Sequence, residues 1–241
     1  YRPVVMASRV ERVRVEEDRI ADLAVANVRS ALDLAVRERG SATLCLAGGT
    51  TPRKTYEALA RDPGVAWTRV SVYFGDERCV PPEHPDSNYR LVREALLERL
   101  GPAGPEVHRM RAELSDRNAA ADAYAAILPE QFDVLILGIG EDCHTASLFP
   151  GSPALHESER RVVPVSGPKP PFERLTLTPP QLRGELVLVL AAGASKAEAV
   201  HAALEGELDL DSYPAQLARD AVWIVDHAAA SKLTGAWPSR H

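Results

Sequence analysis

The sequence predicts an α/β sandwich built around a mainly parallel sheet. Short apolar runs alternate with segments of helical periodicity along almost all of the 241 residues, which is the pattern of successive βα units. The apolar runs are continuous and rich in Val and Leu, as expected of strands with helices on both faces. We expect one domain over residues 1–241, with a hairpin or lid inserted at about residues 152–180.

Each element follows from a local pattern. Predicted helices cover residues 16–39, 52–61, 88–100, 118–128, 196–204 and 228–233. Predicted strands cover residues 42–46, 69–74, 134–137, 161–165, 174–177, 186–190 and 221–225. Gly40 predicts the end of the first helix, Pro52 fits a first helical position, and Ser87 and Ser195 are predicted N-caps. The polar, Pro-rich stretch at residues 75–90 is a predicted loop.

Composition and charge exclude several classes of protein. The formal net charge of −6 argues against nucleic acid as the main partner, because phosphate backbones select basic surfaces. No apolar run approaches the roughly 18 residues of a membrane span, and no secretory apolar segment is present. The chain does not begin with Met, so we expect its start at Met6 or upstream.

The cysteines point to a reducing compartment. Cys45, Cys79 and Cys143 are odd in number, and none lies in a CxxC motif. We therefore expect reduced thiols and a cytoplasmic protein. Cys143 and His144 are adjacent, but the spacings typical of zinc sites are missing, so we expect no metal.

The segments that follow the predicted strands carry the candidate chemistry. In parallel α/β sheets, ligands bind beyond the carboxyl ends of the strands. The segments at those ends are AGGTTPR, GDER, GIGEDCH, AAGASK and Asp226. If the strands are parallel, these segments converge at one edge of the sheet.

Two of these segments suit an anion. Gly48, Gly49 and Thr50 precede a predicted helix start, where free N–H groups and the positive helix end favour phosphate. Lys196 follows Gly193 in a second such turn. The alternatives are a tight turn capped by a threonine and a solvated surface lysine.

The other two segments carry charged and titratable groups. Arg78 can bind an oxyanion or phosphate through its planar guanidinium, while Asp76 precedes it. Histidines exchange protons near neutral pH, so His144 is a candidate general base that Asp142 would orient. The alternatives are a surface cluster of ion pairs and a histidine that caps a helix.

Six segments together resemble the 6-phosphogluconolactonases, which are grouped with the glucosamine-6-phosphate deaminases. They are LAGGTTPRKTYEAL, VYFGDERCVPPEHPDSNYRLVREALL, FDVLILGIGEDCHTASLFPG, ERLTLTP, GASKAEAV and AVWIVDHAA, in that order over residues 46–229. The resemblance implies a Rossmann-like three-layer fold, and it implies hydrolysis of 6-phospho-D-glucono-1,5-lactone to 6-phospho-D-gluconate in the pentose phosphate pathway. It implies no metal and no organic cofactor.

Two positions bear on this resemblance. The family commonly has Gly between the Asp and the His of the third motif, where this chain has Cys143; cysteine would be strained there if the position needs positive φ. The deaminases carry a Glu five residues after the motif histidine, where this chain has Phe149. Phe149 favours a lactonase over a deaminase.

The resemblance also implies a role for each candidate residue. His144 would activate water and return the proton to the ring oxygen, and Asp142 would orient His144. Arg78 would bind the phosphate or the oxyanion, and Asp76 would bind sugar hydroxyls or position Arg78. The residues expected to hold the phosphate are Gly48, Gly49, Thr50 and Lys196, with Arg53 or Arg174. Ser147 does not lie in G-x-S-x-G, so no serine nucleophile is expected.

Three alternative functions remain at this stage: an aldose–ketose isomerase or deaminase, a sugar-phosphate sensor without catalysis, and a nucleotide-binding module. Phe149 disfavours the isomerase or deaminase. The lack of any attached DNA-binding region disfavours the sensor, and the lack of a dinucleotide fingerprint disfavours the nucleotide-binding module. The expected partner is a small sugar phosphate, with neither nucleic acid nor membrane. We expect a monomer, with a weak dimer as the alternative.

Overall fold

A seven-stranded sheet forms the centre of the protein, and all its neighbouring strands are parallel. The computed structural model describes residues 12–235, so Met6 lies outside it. The strands are β1 (Arg12–Val15), β2 (Ala42–Leu46), β3 (Val70–Phe74), β4 (Asp76–Arg78), β5 (Glu106–Val107), β6 (Phe132–Gly138), β7 (Val162–Ser166), β8 (Glu173–Leu177), β9 (Gly184–Ala191) and β10 (Val222–Asp226). The large sheet has the order β1-β10-β9-β6-β2-β3-β5, and β4-β8-β7 form a second, antiparallel sheet.

Helices flank the large sheet. They are α1 (Arg19–Arg39), α2 (Thr50–Leu59), α3 (Asn88–Val92), α4 (Glu98–Leu100), α5 (Arg117–Ala125) and α6 (Ala197–Leu204). A π-helical segment, Arg93–Leu97, joins α3 to α4, so residues 88–100 are helical throughout. Gly40 ends α1 with φ 78°, the left-handed conformation typical of a glycine C-cap. Within residues 12–235, no helix is long and apolar enough to cross a membrane.

The core lies in two layers, one on each face of the sheet. Leu135 and Leu137 of β6 are fully buried on the face covered by α5 and α6. Val134 and Ile136 are buried on the opposite face, against α1 and α2. Alternate residues of one strand therefore enter opposite cores, which confirms the predicted sandwich of helix, sheet and helix.

The strand order places the candidate loops together. From β2 the chain builds outward through β3 and β5, then returns to β6 on the other side of β2. This reversal is a topological switch point, where ligands of such sheets bind. The loops after β2 and β6 are adjacent there: a Cβ added to Gly138 would lie 3.9 Å from Gly48 O.

Several local predictions are wrong. The predicted loop at residues 75–90 contains β4, which pairs with β8 of the second sheet. The predicted helix over residues 228–233 is a series of turns, although Ala230 N donates to Asp226 O at 3.0 Å. Ser195 does not cap α6, since a 3-10 turn (Ala194–Lys196) precedes that helix and its N-cap, Lys196, makes no side-chain capping bond.

The start of α2 also differs from the prediction. Pro52 is the third residue of the helix, and the N-cap is Gly49, with φ 106°. That backbone conformation favours glycine. No threonine side chain caps α2, so the capping alternative for Thr50 does not hold. Ser87, in contrast, is a true N-cap: its hydroxyl accepts from Arg90 N at 3.2 Å.

Candidate active site

His144 and Asp142 form a hydrogen-bonded pair in the loop after β6. His144 Nδ1 is hydrogen-bonded to Asp142 Oδ1. Gly140 N donates to His144 O at 2.8 Å, which closes the loop on itself. Partial burial raises the pKa of Asp142, but the hydrogen bond and charge of His144 outweigh it and hold this pKa below its ordinary value. The carboxylate therefore binds Nδ1 and leaves Nε2 of the ring for proton transfer.

Gly140 makes room for this pair. A Cβ at position 140 would overlap both His144 Nδ1 and Asp142 Oδ1. The two side chains thus fold back over the main chain of their own loop. His144 is about a quarter exposed, at 28% of its side-chain surface, so the ring is reachable by a small molecule.

A buried polar network connects the loops after β3 and β6. Asp76 is 6% exposed, and its carboxylate accepts from Asn88 Nδ2 at 3.0 Å and from Ser147 Oγ at 2.5 Å. Ser147 N in turn donates to Thr176 Oγ1 at 3.1 Å. Arg78 Nη1 donates to Asn88 Oδ1 at 2.6 Å. Arg78 and Asp76 are therefore linked through Asn88, without a direct ion pair.

Sequence reasoning missed Asn88 and Ser147 as parts of this site. Asn88 follows a recognisable helix cap, Ser87, but nothing in the sequence shows that its amide turns toward Arg78. Ser147 lies outside G-x-S-x-G, and nothing in the sequence points to a contact with Asp76. Both roles depend on contacts between segments up to 71 positions apart in the chain.

Glu77 serves the local structure. Its carboxylate accepts from Asn88 N at 2.7 Å, Tyr89 N at 2.8 Å and Ser87 Oγ at 3.0 Å, which satisfies the start of α3. Burial raises the pKa of Glu77 despite the backbone N–H groups that lower it. The position of α3, and hence of Asn88, depends on this carboxylate.

Arg174 lies beside Arg78, because the two are register partners across β4 and β8. Arg174 is 8% exposed, and burial lowers the pKa of its guanidinium, against the influence of Asp76. Its guanidinium lies over the Phe149 ring at 5.3 Å, and the His144 ring lies near the same ring at a centroid distance of 4.7 Å. Phe149 therefore contacts both the histidine and the buried arginine.

The two predicted anion-binding turns meet at one cleft. Thr50 and Thr51 line this cleft of about 140 Å³ together with Ala192, Gly193 and the ion pair of Glu17 with Lys54. Gly48, Gly49 and Lys196 are not among its lining residues. Gly193 has φ 95°, and its N–H donates to Asp226 Oδ2 at 2.9 Å. Asp226, which sequence reasoning placed at the same edge, thus anchors the turn after β9.

Lys196 and Arg53, two of the side chains predicted to bind the phosphate, differ in the contacts that they make in the structure. In the described part of the chain, Lys196 Nζ has neither a hydrogen-bond nor an ion-pair partner. Arg53 is paired with Glu57 at 3.3 Å and with Glu94 at 3.6 Å. Lys196 is therefore free to meet an anion, whereas Arg53 would have to leave its carboxylates. No group of three or more His, Cys, Asp or Glu side chains within residues 12–235 is arranged to hold a metal.

Comparison with known protein families shows to which family the chain belongs. The family model described as glucosamine-6-phosphate isomerases/6-phosphogluconolactonase matches residues 15–225.

The chain belongs to this family.

Relatives within the glucosamine-6-phosphate isomerase/6-phosphogluconolactonase family match the chain along most of its length. The 6-phosphogluconolactonase of Synechocystis is 36% identical and the alignment covers 95% of this chain and 99% of the relative. That of Streptomyces coelicolor is 39% identical, with coverage of 92% and 93%. Both relatives are more than 30% identical to this chain over more than 90% of its length, which places the chain in their family as well as in their fold.

Solved structures in the family agree. The 6-phosphogluconolactonase of Shewanella baltica superposes with a TM-score of 0.82 at 27% identity, covering 90% of this chain and 97% of that one. The 6-phosphogluconolactonase of Trypanosoma brucei superposes with a TM-score of 0.81 at 27% identity, covering 93% of this chain and 99% of that one. A monomeric glucosamine-6-phosphate deaminase, 22% identical with a TM-score of 0.79, shows the common fold alone.

Cys143, which lies between Asp142 and His144, adopts φ 66°. This is the left-handed region, so the cysteine backbone is strained there. Its side chain lies in the core beside α6 and is 2% exposed. The thiol lies 3.5 Å from Ala199 O on α6, and Cys143 O accepts from Ala215 N at 2.9 Å. These contacts hold the loop in its strained conformation.

Cys143 is expected to resist alkylation in the native protein. Burial raises its pKa to about 11, which leaves on the order of 100-fold less thiolate at neutral pH than an ordinary cysteine has. Burial raises the pKa of Cys79 to about 11 as well, so the two thiols differ in exposure and not in pKa. Treatment with iodoacetamide followed by peptide mapping should therefore label the half-buried Cys79 first and the buried Cys143 only after unfolding. Early labelling of Cys143 would show instead that the loop opens readily.

Proposed function

We propose that this protein hydrolyses 6-phospho-D-glucono-1,5-lactone to 6-phospho-D-gluconate, the second step of the pentose phosphate pathway. The observation that carries the proposal is the pair His144 and Asp142 at the carboxyl edge of the sheet, in a chain whose relatives are named 6-phosphogluconolactonases. Phe149, close to the His144 ring, is not an acid or a base, which supports hydrolysis over deamination.

In the proposed reaction, His144 acts as the general base. Asp142 holds the ring through Nδ1, and Nε2 takes a proton from a water molecule as its oxygen attacks the lactone carbonyl carbon. The tetrahedral intermediate collapses with cleavage of the bond to the ring oxygen, which receives the proton from His144. Water is consumed and the histidine returns to its starting state. Such proton transfer typically contributes about 10²–10⁴-fold.

The remaining residues are proposed to bind substrate and charge. Gly48, Gly49 and Thr50 offer the N-terminus of α2 to the phosphate, and Lys196 adds a free cation. Arg78 and Arg174 add two neighbouring guanidinium groups. A raised KM in Arg78→Ala would assign Arg78 to the phosphate, whereas a lowered kcat would assign it to the carbonyl oxygen.

The same proposal covers the setting of the reaction. The enzyme acts in the cytoplasm as a monomer, on a small substrate, and without metal or organic cofactor. The three cysteines are free thiols, which supports a reducing compartment. Asp76, with both carboxylate oxygens engaged by Asn88 and Ser147, is assigned to positioning.

Lactone hydrolysis tests the proposal directly. Freshly generated 6-phosphogluconolactone is supplied to the protein, and the product is read through 6-phosphogluconate dehydrogenase after subtraction of spontaneous hydrolysis. Glucosamine 6-phosphate serves as the control substrate. We expect a rate well above background on the lactone and none on the amine. Release of ammonia from glucosamine 6-phosphate would replace this proposal with a deaminase.

Replacing Lys196 with Ala is expected to raise KM for the lactone and to change kcat little. The Lys196 charge would contact the phosphate equally in the ground state and the transition state, so its loss weakens binding alone. Steady-state kinetics measure the split. Lys232→Ala removes a surface lysine paired with Glu198 and is the matched control. An unchanged KM in the Lys196 variant would place the phosphate elsewhere.

A further inference from the structure

We propose that Asn88 is a positioning residue for the lactonase reaction: its amide holds Arg78 in place against Asp76 and the phosphate loop. Here the phosphate loop means Gly48, Gly49 and Thr50. The inference rests on the proposed function, because it assigns Asn88 to the same reaction. It goes further by identifying a side chain that orients the Arg78 guanidinium.

The contacts of the Asn88 amide require both its donor and its acceptor. Nδ2 donates to Asp76 O at 2.9 Å and to Asp76 Oδ1 at 3.0 Å. Oδ1 accepts from Arg78 Nη1 at 2.6 Å, and the same nitrogen donates to Asp86 O at 3.0 Å. An ionised carboxylate cannot donate, and a hydroxyl cannot span both partners. The amide therefore links an anion to a cation that do not touch each other.

The phosphate loop packs against the same amide. A Cβ added to Gly48 would lie 2.7 Å from Asn88 Cγ and would overlap Oδ1. Glycine is thus the residue that lets the main chain of the loop approach Asn88. As a result, Asn88 lies between the loop that follows β2 and the arginine that follows β3.

The main chain of Asn88 is fixed independently of its amide. Its N–H donates to Glu77 Oε1 at 2.7 Å, and Ser87 caps α3 while donating to Glu77 Oε2 at 3.0 Å. Asn88 itself is 1% exposed. The helix start is therefore held by Ser87 and Glu77, which leaves the amide free to orient Arg78. In a buried network, loss of the amide leaves Asp76 and Arg78 each short of a partner.

A double-mutant cycle between Asn88 and Arg78 tests the proposal. We expect Asn88→Ala to lower kcat/KM by about 10²-fold, as small misplacements of a catalytic group do. The change should fall on the same parameter, kcat or KM, that Arg78→Ala alters. In the Arg78→Ala background, Asn88→Ala should cost little more, because the group it positions is already absent.

Two further variants separate positioning from folding. Asn118→Ala is the matched control, since Asn118 Oδ1 accepts from Arg160 Nη1 at 3.3 Å in an exposed asparagine–arginine pair away from the site. It should keep kcat/KM near that of the wild type. Asn88→Asp preserves size and still accepts from Arg78, but it places a carboxylate against Asp76. It should lose activity while folding, as shown by its melting temperature, and it serves in place of Asn88→Ala if that variant is unfolded.

The outcomes are distinguishable. If the wild type hydrolyses no lactone, the proposed function fails and this inference fails with it. If the wild type is active and Asn88→Ala matches it, only the inference fails. It is also overturned if the effects of Asn88→Ala and Arg78→Ala multiply, if they fall on different kinetic parameters, or if Asn118→Ala causes the same loss.

Discussion

Replacing His144 with Ala is expected to lower kcat by about 10²–10⁴-fold and to change KM little. The ring is proposed to move a proton in the transition state and to add little to substrate binding, so its loss should raise the barrier alone. Because the pKa of Asp142 lies below its ordinary value, its carboxylate stays charged at neutral pH and keeps the ring oriented. Steady-state lactone hydrolysis, corrected for the spontaneous rate, measures the effect.

A second histidine–aspartate pair supplies the control for this experiment. His156 Nε2 lies 2.8 Å from Asp211 Oδ1 on the surface, with 71% of the His156 side chain exposed. His156→Ala should leave kcat unchanged. The kcat of Asp142→Asn should lie between those of His144→Ala and His156→Ala. The amide keeps the shape of the pair but forms a weaker hydrogen bond with His144 Nδ1. A His144→Ala variant with normal kcat would remove this residue from catalysis.

The central strands could be predicted because strands buried on both faces consist almost entirely of apolar residues. Leu135 and Ile136 lie in a continuous apolar run, and only a strand covered on both faces needs one. Once such strands are parallel, the segments at their carboxyl ends must share an edge. This is why His144, Thr50 and Gly193 could be assigned to one region before any contact was known.

Short elements could not be predicted, because their stability comes from distant partners. The three residues of β4 are charged or polar, and they form a strand only because β8 pairs with them. The small residues after β10 resemble a helix in composition, yet Asp226 holds Ala229 N at 2.6 Å and Gly193 N at 2.9 Å. Here tertiary contacts decide the local structure, as they often override intrinsic propensity.

Within the site, residue types were predictable and their contacts were not. A general base, an orienting acid and an arginine follow from the sequence. That Asn88 joins Arg78 to Asp76 depends on packing between separate loops. The role of Gly140 is similar: its sequence context suggests a turn, but the structure shows that the space above it belongs to His144 and Asp142.

Replacing Gly140 with Ala is expected to lower kcat by about 10²-fold, since displacement of a catalytic group by about 1 Å has an effect of this size. The added methyl group would overlap His144 Nδ1 and Asp142 Oδ1, so the pair must open or the loop must move. Its φ lies outside the left-handed region, so alanine is compatible with the backbone there. The loss should therefore appear in activity more than in melting temperature.

Gly138 provides a matched control two residues earlier. An alanine at position 138 would meet its nearest neighbour, Gly48 O, at 3.9 Å, an ordinary van der Waals contact. Gly138→Ala should therefore retain the wild-type kcat. If both variants lose activity equally, glycine at these positions serves flexibility of the loop. If only Gly140→Ala does, the close packing of His144 and Asp142 over the main chain is what catalysis needs. Full activity of Gly140→Ala would mean that the pair functions in another arrangement.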